Sequence, residues 1–257
     1  MLPRILLTIG LCVAVAQVRA QQPGFIACQP YGGLQAVHAL YERELVYPAD
    51  AMADALEGEV HLIFVVEADG SVRDMRVWQP LNASCDAEAM RLGHMVRWHP
   101  ASVGGVANAA EHYLKVSFSI KQYRKWLKTR AEICKPDRQR AMDRSGQIYP
   151  RTQVDSSSAP RIPGGSKGLP RYLVEHLRYP PEAYRRDFQG TVTLEFIVEP
   201  SGALSNMRAL NELGGGCTKE AMELLRSICW RPAMKGGEAI RSTQEVNIEF
   251  RIAPNER

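Results

Sequence analysis

Residues 190–204 read GTVTLEFIVEPSGAL, and residues 58–72 read GEVHLIFVVEADGSV. In both, apolar residues fall at every second position: Val192, Leu194, Phe196 and Val198 in one, Val60, Leu62, Phe64 and Val66 in the other. A period of two with polar residues between describes a strand with one buried and one wet face. Each strand runs into a turn signal, Ser201-Gly202 or Asp69-Gly70, which predicts a hairpin to a second strand near 203–210 or 71–78.

Outward from these hairpins the chain repeats itself at an offset of 132. Tyr47–Ile120 aligns without a gap on Tyr179–Ile252, with 26 of 74 positions identical. Tyr47-Pro48 meets Tyr179-Pro180, Cys85 meets Cys217, and Trp98-x-Pro100-Ala101 meets Trp230-x-Pro232-Ala233. A repeat this long is a duplicated domain, because solenoid units run to about 20–50 residues. Pro48 and Pro180 suit the first turn of a short helix, where a missing N–H costs nothing. After the hairpin, Ala89, Leu92, Gly93 and Val96 (Ala221, Leu224, Leu225 and Ile228 in the second copy) follow helical spacing. A closing strand alternates again through Leu114, Val116, Phe118, Ile120 and through Val246, Ile248, Phe250, Ile252. The order helix–strand–strand–helix–strand predicts an α+β fold: two tandem small domains, each a short antiparallel β-sheet with two helices packed on one face. The domains are expected at 28–120 and 161–254, joined by a basic, Ser- and Pro-containing linker over 121–160.

Length and composition agree. The 257 residues are 45% hydrophobic and 23% charged, which excludes a chain disordered throughout. A net charge of +4 is too slight to argue for nucleic acid. Arg4, the apolar run 5–16 and Val18-Arg19-Ala20 together read as a cleaved signal peptide over 1–20. The run is too short for the roughly 20 residues of a membrane span. The mature protein is thus expected to be soluble, exported and without a transmembrane anchor.

Export makes disulfides the default for cysteines, and five remain after residue 20. Cys28, Cys85, Cys134 and Cys217 are the disulfide candidates, with Cys28–Cys85 the preferred pairing in the first copy. Cys217 and Cys229 flank one helix and are roughly 18 Å apart, too far to pair with each other. Cys85 and Cys217 also stand at helix starts, a position that lowers a thiol pKa, so a reactive thiol is the competing reading. Between the copies, Lys121 to Arg144 holds nine basic and three acidic residues. It reads either as a solvated extension or as a contact for anionic envelope material such as lipid headgroups. The stretch Asp155–Pro160 has the composition of a flexible linker.

No site for chemistry is legible. The six histidines form no metal motif, and His61, His94 and His99 give way to Thr193, Arg226 and Arg231 in the second copy. No G-x-S-x-G, P-loop or H-E-x-x-H occurs. Trp98 and Trp230 read as core rather than as ligand-stacking residues. The expectation is a protein that is not an enzyme and uses no cofactor and no metal.

The ordered set of PGG, HLRYPPEA, GTVTLEFIVEPSGAL, CTKEAMELL, WRPAMKGG and VNIEFRI resembles the C-terminal domain of TonB, and the first copy resembles it more weakly. The resemblance covers about 180 residues. It implies a periplasmic, energy-transducer-like protein that binds TonB-box peptides of outer-membrane TonB-dependent receptors and so serves transport across the envelope. The anchor helix and the long Pro-rich spacer of that family are not seen, which leaves open a soluble periplasmic interaction or assembly module, and a homodimer. The binding strand implied is Thr243, Gln244, Glu245, Val246, Asn247, Ile248, Glu249 and Arg251. As the last of three strands it is expected at a sheet edge, where an extended peptide can add through main-chain hydrogen bonds. Charges such as Glu249 and Arg251 equally suit an edge that is merely guarded against aggregation.

Overall fold

The computed structural model describes residues 24–133 and 141–252; the expected signal peptide and Cys134 lie outside them. The chain divides into two compact units, residues 1–34 with 46–120, and residues 35–45 with 121–257.

Helix α1 (Gly33–Glu44) starts at the end of the first unit's opening segment and belongs from residue 35 to the second; the first unit then carries α2 (Ala49–Ala53), β1 (Gly58–Val66), β2 (Val72–Gln79), α3 (Ala83–Met95) and β3 (Ala110–Phe118). The sheet is antiparallel in the order β2-β1-β3, with Gly58 opposite Phe118 and Val66 opposite Ala110. Val60, Leu62, Phe64 and Val66 are fully buried, as are Ala89 and Leu92 of α3. Asn82 caps α3 by accepting from the Cys85 amide at 2.8 Å, which satisfies one of the helix's orphan donors.

The second unit repeats this plan. After helix α4 (Ile120–Ile133) and strand β4 (Ile148–Tyr149) come α5 (Gly165–His176), α6 (Pro181–Arg185), β5 (Gly190–Val198), β6 (Leu204–Asn211) and α7 (Cys217–Ser227). β7 (Ala233–Lys235) and the long β8 (Glu238–Phe250) complete it. Val192, Leu194, Phe196 and Val198 join Leu173, Ala221, Leu225, Trp230, Ile248 and Phe250 in one core. The fold is α+β, with small antiparallel sheets and the helices α5 and α7 on the apolar face.

The turn glycines have a tertiary cause beyond the hairpin. Gly70 and Gly202 adopt φ +82° and +85°, a region L side chains avoid. A Cβ on Gly70 would lie 2.5 Å from the carbonyl oxygen of Trp98, and one on Gly202 2.2 Å from that of Trp230. Each hairpin turn therefore abuts the backbone of the Trp-x-Pro-Ala segment, so two parts of the repeat signature constrain each other.

The stretch Asp155–Pro160, whose composition suggested a flexible linker, is part of a segment, residues 141–160, that is paired to the second unit. Met142 bridges Ala239, β4 runs parallel to Arg241–Ser242 of β8, and Ser156 bridges Met234. Ser158 is buried, with its hydroxyl 3.3 Å from that of Ser242. A polar, Pro-containing composition also fits a strap that is held by backbone pairing, where side chains contribute little. Arg241 extends this anchorage: its Nη1 donates to the carbonyl of Gly146 at 2.8 Å, while Nε and Nη2 donate to the buried carboxylate of Glu199 at 2.8 and 2.9 Å.

The cysteines also depart from expectation. Cys28, Cys85 and Cys217 are free thiols and buried, so Cys28 does not pair with Cys85. Cys28 lies between two short pairings, Phe25–Ile26 with Val103–Ser102 and Gln29–Pro30 with His99–Trp98. Cys85 is in the first turn of α3, whose ten residues to Met95 span about 15 Å. That exceeds the Cα separation of about 7 Å a disulfide bridges. Cys229 is disulfide-bonded. The reactive-thiol reading fails too: burial pushes the Cys85 thiol up from its usual 9.0 to about 11, helped by the charges of Asp50, Asp86 and Glu88. Desolvation also raises the thiols of Cys28 and Cys217. The helix-terminus effect loses to burial.

Gly202→Ala should destabilise the second unit by about 1–3 kcal/mol in urea unfolding, because it adds positive-φ strain to a backbone clash. A fragment 161–257 should melt at least about 5 °C below a fragment 141–257, since without the strap Arg241 loses a buried acceptor worth about 1 kcal/mol or more. Cys85 and Cys217 should resist alkylation at pH 8 until the protein is unfolded. Because the folded-state Cys85 pKa is raised, its contribution to stability is complete below about pH 9 and is lost as pH climbs from there towards 11.

Candidate peptide-binding edge

The sheet order of the second unit is β6-β5-β8-β7. The first long strand is central, not the second as in a simple meander, so β6 and β8 flank it. The closing strand is thus beside β5 for a different reason from the one its chain position suggested. β8 pairs with β5 from Ser242–Val198 to Phe250–Gly190. Its other side is occupied at its start by β7 against Glu238–Ile240 and by β4 against Arg241–Ser242, and the 3-10 turn Arg151–Gln153 that follows β4 also lies close to β8. From Thr243 onward that side has no strand partner among the described residues.

Which amides face outward follows from bonds at the sheet's margins. The Thr193 amide donates to the Asn211 side chain at 2.7 Å, and the carbonyl of Thr191 accepts from the same side chain. The odd residues of β5 therefore turn their backbone groups toward β6, and the even ones toward β8. On β8, the amide of Ile252 donates to the side chain of Gln189 at 3.1 Å, on the β5 side. Because Val192 stands opposite Ile248, strand alternation points the N–H and C=O groups of Glu245, Asn247 and Glu249 at the open edge.

The side chains divide differently. Val246 and Ile248 are buried in the core and offer the edge no side chain. Thr243 and Gln244 are half-buried, whereas Glu245, Asn247, Glu249 and Arg251 are exposed. Asn247 is held on the wet face by the Thr193 hydroxyl at 2.9 Å, and Glu249 by Arg251 at 2.6 Å. The first tie crosses from β8 to β5 and the second runs along β8, both on the wet face.

Sequence reading missed the wall beside this strand. A groove of about 670 Å³ runs along it, lined by Pro170, Val174 and Leu177 of the α5 region and by Asn247, Glu249 and Arg251. Val174 is 80% exposed. The available signal was phase: Leu169, Leu173 and Leu177 recur every fourth residue as the core stripe, and Val174 is an apolar residue off that stripe.

The first unit presents a different surface at equivalent positions. Lys115 contacts Glu59 at 2.9 Å and the Ser117 hydroxyl reaches the same carboxylate. These bonds, that from Lys115 first, hold the Glu59 carboxyl below its usual range. His61, 3.4 Å from Glu59, is part-exposed on this wet face. Among the described residues, no group of three or more His, Cys, Asp and Glu could hold a metal, and no helix is long and apolar enough to cross a membrane.

No curated protein matches the chain. Among solved structures, the Helicobacter pylori TonB-CTD is similar at 22% identity over 34% of this chain and 79% of that chain, with a TM-score of 0.28. The Pseudomonas aeruginosa TonB CTD is similar at 22% identity over 39% and 91%, with a TM-score of 0.27. The family described as Gram-negative bacterial TonB protein C-terminal matches at residues 43–120 and again at 175–252. The chain belongs to this family, and carries its domain in two tandem copies.

Proposed function

We propose that the second copy binds an extended peptide on the open edge from Thr243 to Arg251, and that the peptide is a segment of an outer-membrane TonB-dependent receptor. The family is one of periplasmic protein-interaction domains, and on this reading the protein is exported and works in the periplasm. The observation that carries the proposal is the edge itself: backbone groups of Glu245, Asn247 and Glu249 turned away from β5, beside a groove with an exposed apolar wall. An added strand gains affinity from main-chain bonds, and its side chains that face α5 meet Val174 and Leu177. Alternation along the peptide supplies the selectivity, since only every second side chain reaches that wall.

The test is titration of synthetic receptor N-terminal peptides into the isotope-labelled full chain by NMR. Shifts should concentrate along 243–251 and on Val174. Asn247→Pro removes one outward donor and should weaken binding tenfold or more, in line with about 1.4 kcal/mol per tenfold. Val174→Asp should weaken it comparably, and Glu42→Ala, at the equivalent position of the first copy, should not. Shifts confined to α7 would overturn the edge mechanism.

A further inference from the structure

Helix α4 carries Lys121, Arg124, Lys125 and Lys128, spaced i, i+3, i+4, i+7, which puts four cations in one stripe. All four are exposed, and none has an ion-pair partner among the described residues. Several cations elsewhere on the surface are matched, Lys115 with Glu59, Arg171 with Glu175, Arg185 with Glu182, Arg208 with Glu195 and Arg251 with Glu249, whereas α4 gathers four unmatched ones on one stripe. Leu127, 45% exposed, lies beside the stripe one turn from Arg124.

The helix is not free to roll its stripe away. Arg130, on a different face, is half-buried and donates to the carbonyls of Tyr41, Glu42 and Leu45, at 3.3, 2.5 and 2.9 Å. Its guanidinium also lies over the Tyr123 ring, 5.6 Å from the centroid. Like charges one turn apart, Lys121 with Lys125 and Arg124 with Lys128, repel and destabilise an isolated helix. The stripe therefore opposes folding unless an anionic surface neutralises it.

We propose that α4 is a docking surface for a bilayer that contains anionic phospholipid. The helix lies along the surface with the four cations at the headgroups and Leu127 directed toward the acyl boundary. A stripe of long cationic side chains bordered on one side by an apolar residue suits a helix that lies on a headgroup surface. Each basic residue near such a surface contributes about fivefold in affinity, and the effect decays within a Debye length.

Co-sedimentation of the full chain with vesicles tests this. The protein should pellet with phosphatidylcholine–phosphatidylglycerol vesicles and not with phosphatidylcholine alone, and binding should fall at least tenfold between about 0.1 M and about 0.5 M salt. The variant Lys121→Gln/Arg124→Gln/Lys125→Gln/Lys128→Gln should lose about a hundredfold or more. It should also unfold no lower than the parent, because repulsion is relieved, so lost binding is not lost folding. The charge-matched control Arg171→Gln/Arg185→Gln/Lys219→Gln/Arg251→Gln should bind within about threefold of the parent. Absence of binding to the anionic vesicles, equal binding to neutral ones, or equal loss in the control would overturn the proposal.

Discussion

The carboxylate of Glu199 and the guanidinium of Arg241 meet with 0% and 2% of their side chains exposed, and the second unit is arranged around this contact. Removing two charges from water costs several kcal/mol each, which their attraction repays only when the remaining hydrogen-bonding positions are also filled. Here they are filled from four directions. Glu199 follows β5, Arg241 belongs to β8, the Ser205 hydroxyl of β6 donates to Glu199, and the carbonyl of Gly146 in the strap accepts from Arg241. The strap cannot leave without stranding a buried guanidinium N–H. It follows that β4 stays paired with Arg241–Ser242 and that the open edge begins at Thr243. The length of strand edge left unpaired among the described residues is thus set by a buried ion pair.

Periodicity carried most of the fold into view. Alternation in Val192–Val198 and Val246–Phe250 marked the buried face, and the helical phase of Ala221, Leu224 and Leu225 marked the cover. These signals come from burial, which is local in sequence. Strand order is not local: nothing in the residues of β5 says that it is central. The strap was hidden for the same reason, since Met142, Ile148 and Ser156 are held through backbone groups that every residue possesses. The thiols were misread because their chemistry depends on the core above them. A cysteine at a helix start can be activated or inert, and the desolvation that decided the matter for Cys85 arises from residues distant in the chain.

The candidate edge was legible in part, and the missing part is instructive. The outward residues Glu245, Asn247, Glu249 and Arg251 follow from period two alone. The wall at Val174 does not, because exposure of one valine is unremarkable in a sequence and acquires meaning only beside an unpaired strand. A guarded edge and a binding edge also share a composition. What bears on the difference is direction: the Asn247–Thr193 contact crosses to β5 and the Glu249–Arg251 contact runs along β8, so both side chains are tied to the wet face of the sheet.

Duplication lets the two copies keep one backbone and diverge at this surface. At the offset of 132, Glu199 corresponds to Glu67, but Arg241 corresponds to Ala109, which carries no charge, and Glu67 pairs instead with Arg73 in an exposed contact. Val174 corresponds to Glu42, so the apolar wall becomes acidic. Tyr41, Glu42 and Leu45 correspond to Leu173, Val174 and Leu177, and the carbonyls of those three residues receive Arg130 of α4. The Tyr41 carbonyl also accepts from the Leu45 amide at 3.1 Å, whereas the Val46 amide goes to Glu88, so the cation supplies the Glu42 carbonyl with a donor and complements the negative end of the α1 dipole. Burial lowers the pKa of Arg130 from its usual value, yet an arginine remains charged far above any physiological pH, so the contact persists across that range. The same helical end that borders a groove in the second copy is the seat of α4 in the first. The end of α1 that corresponds to the groove wall of the second copy is the attachment point of α4, and the stripe of Lys121, Arg124, Lys125 and Lys128 is displayed from it.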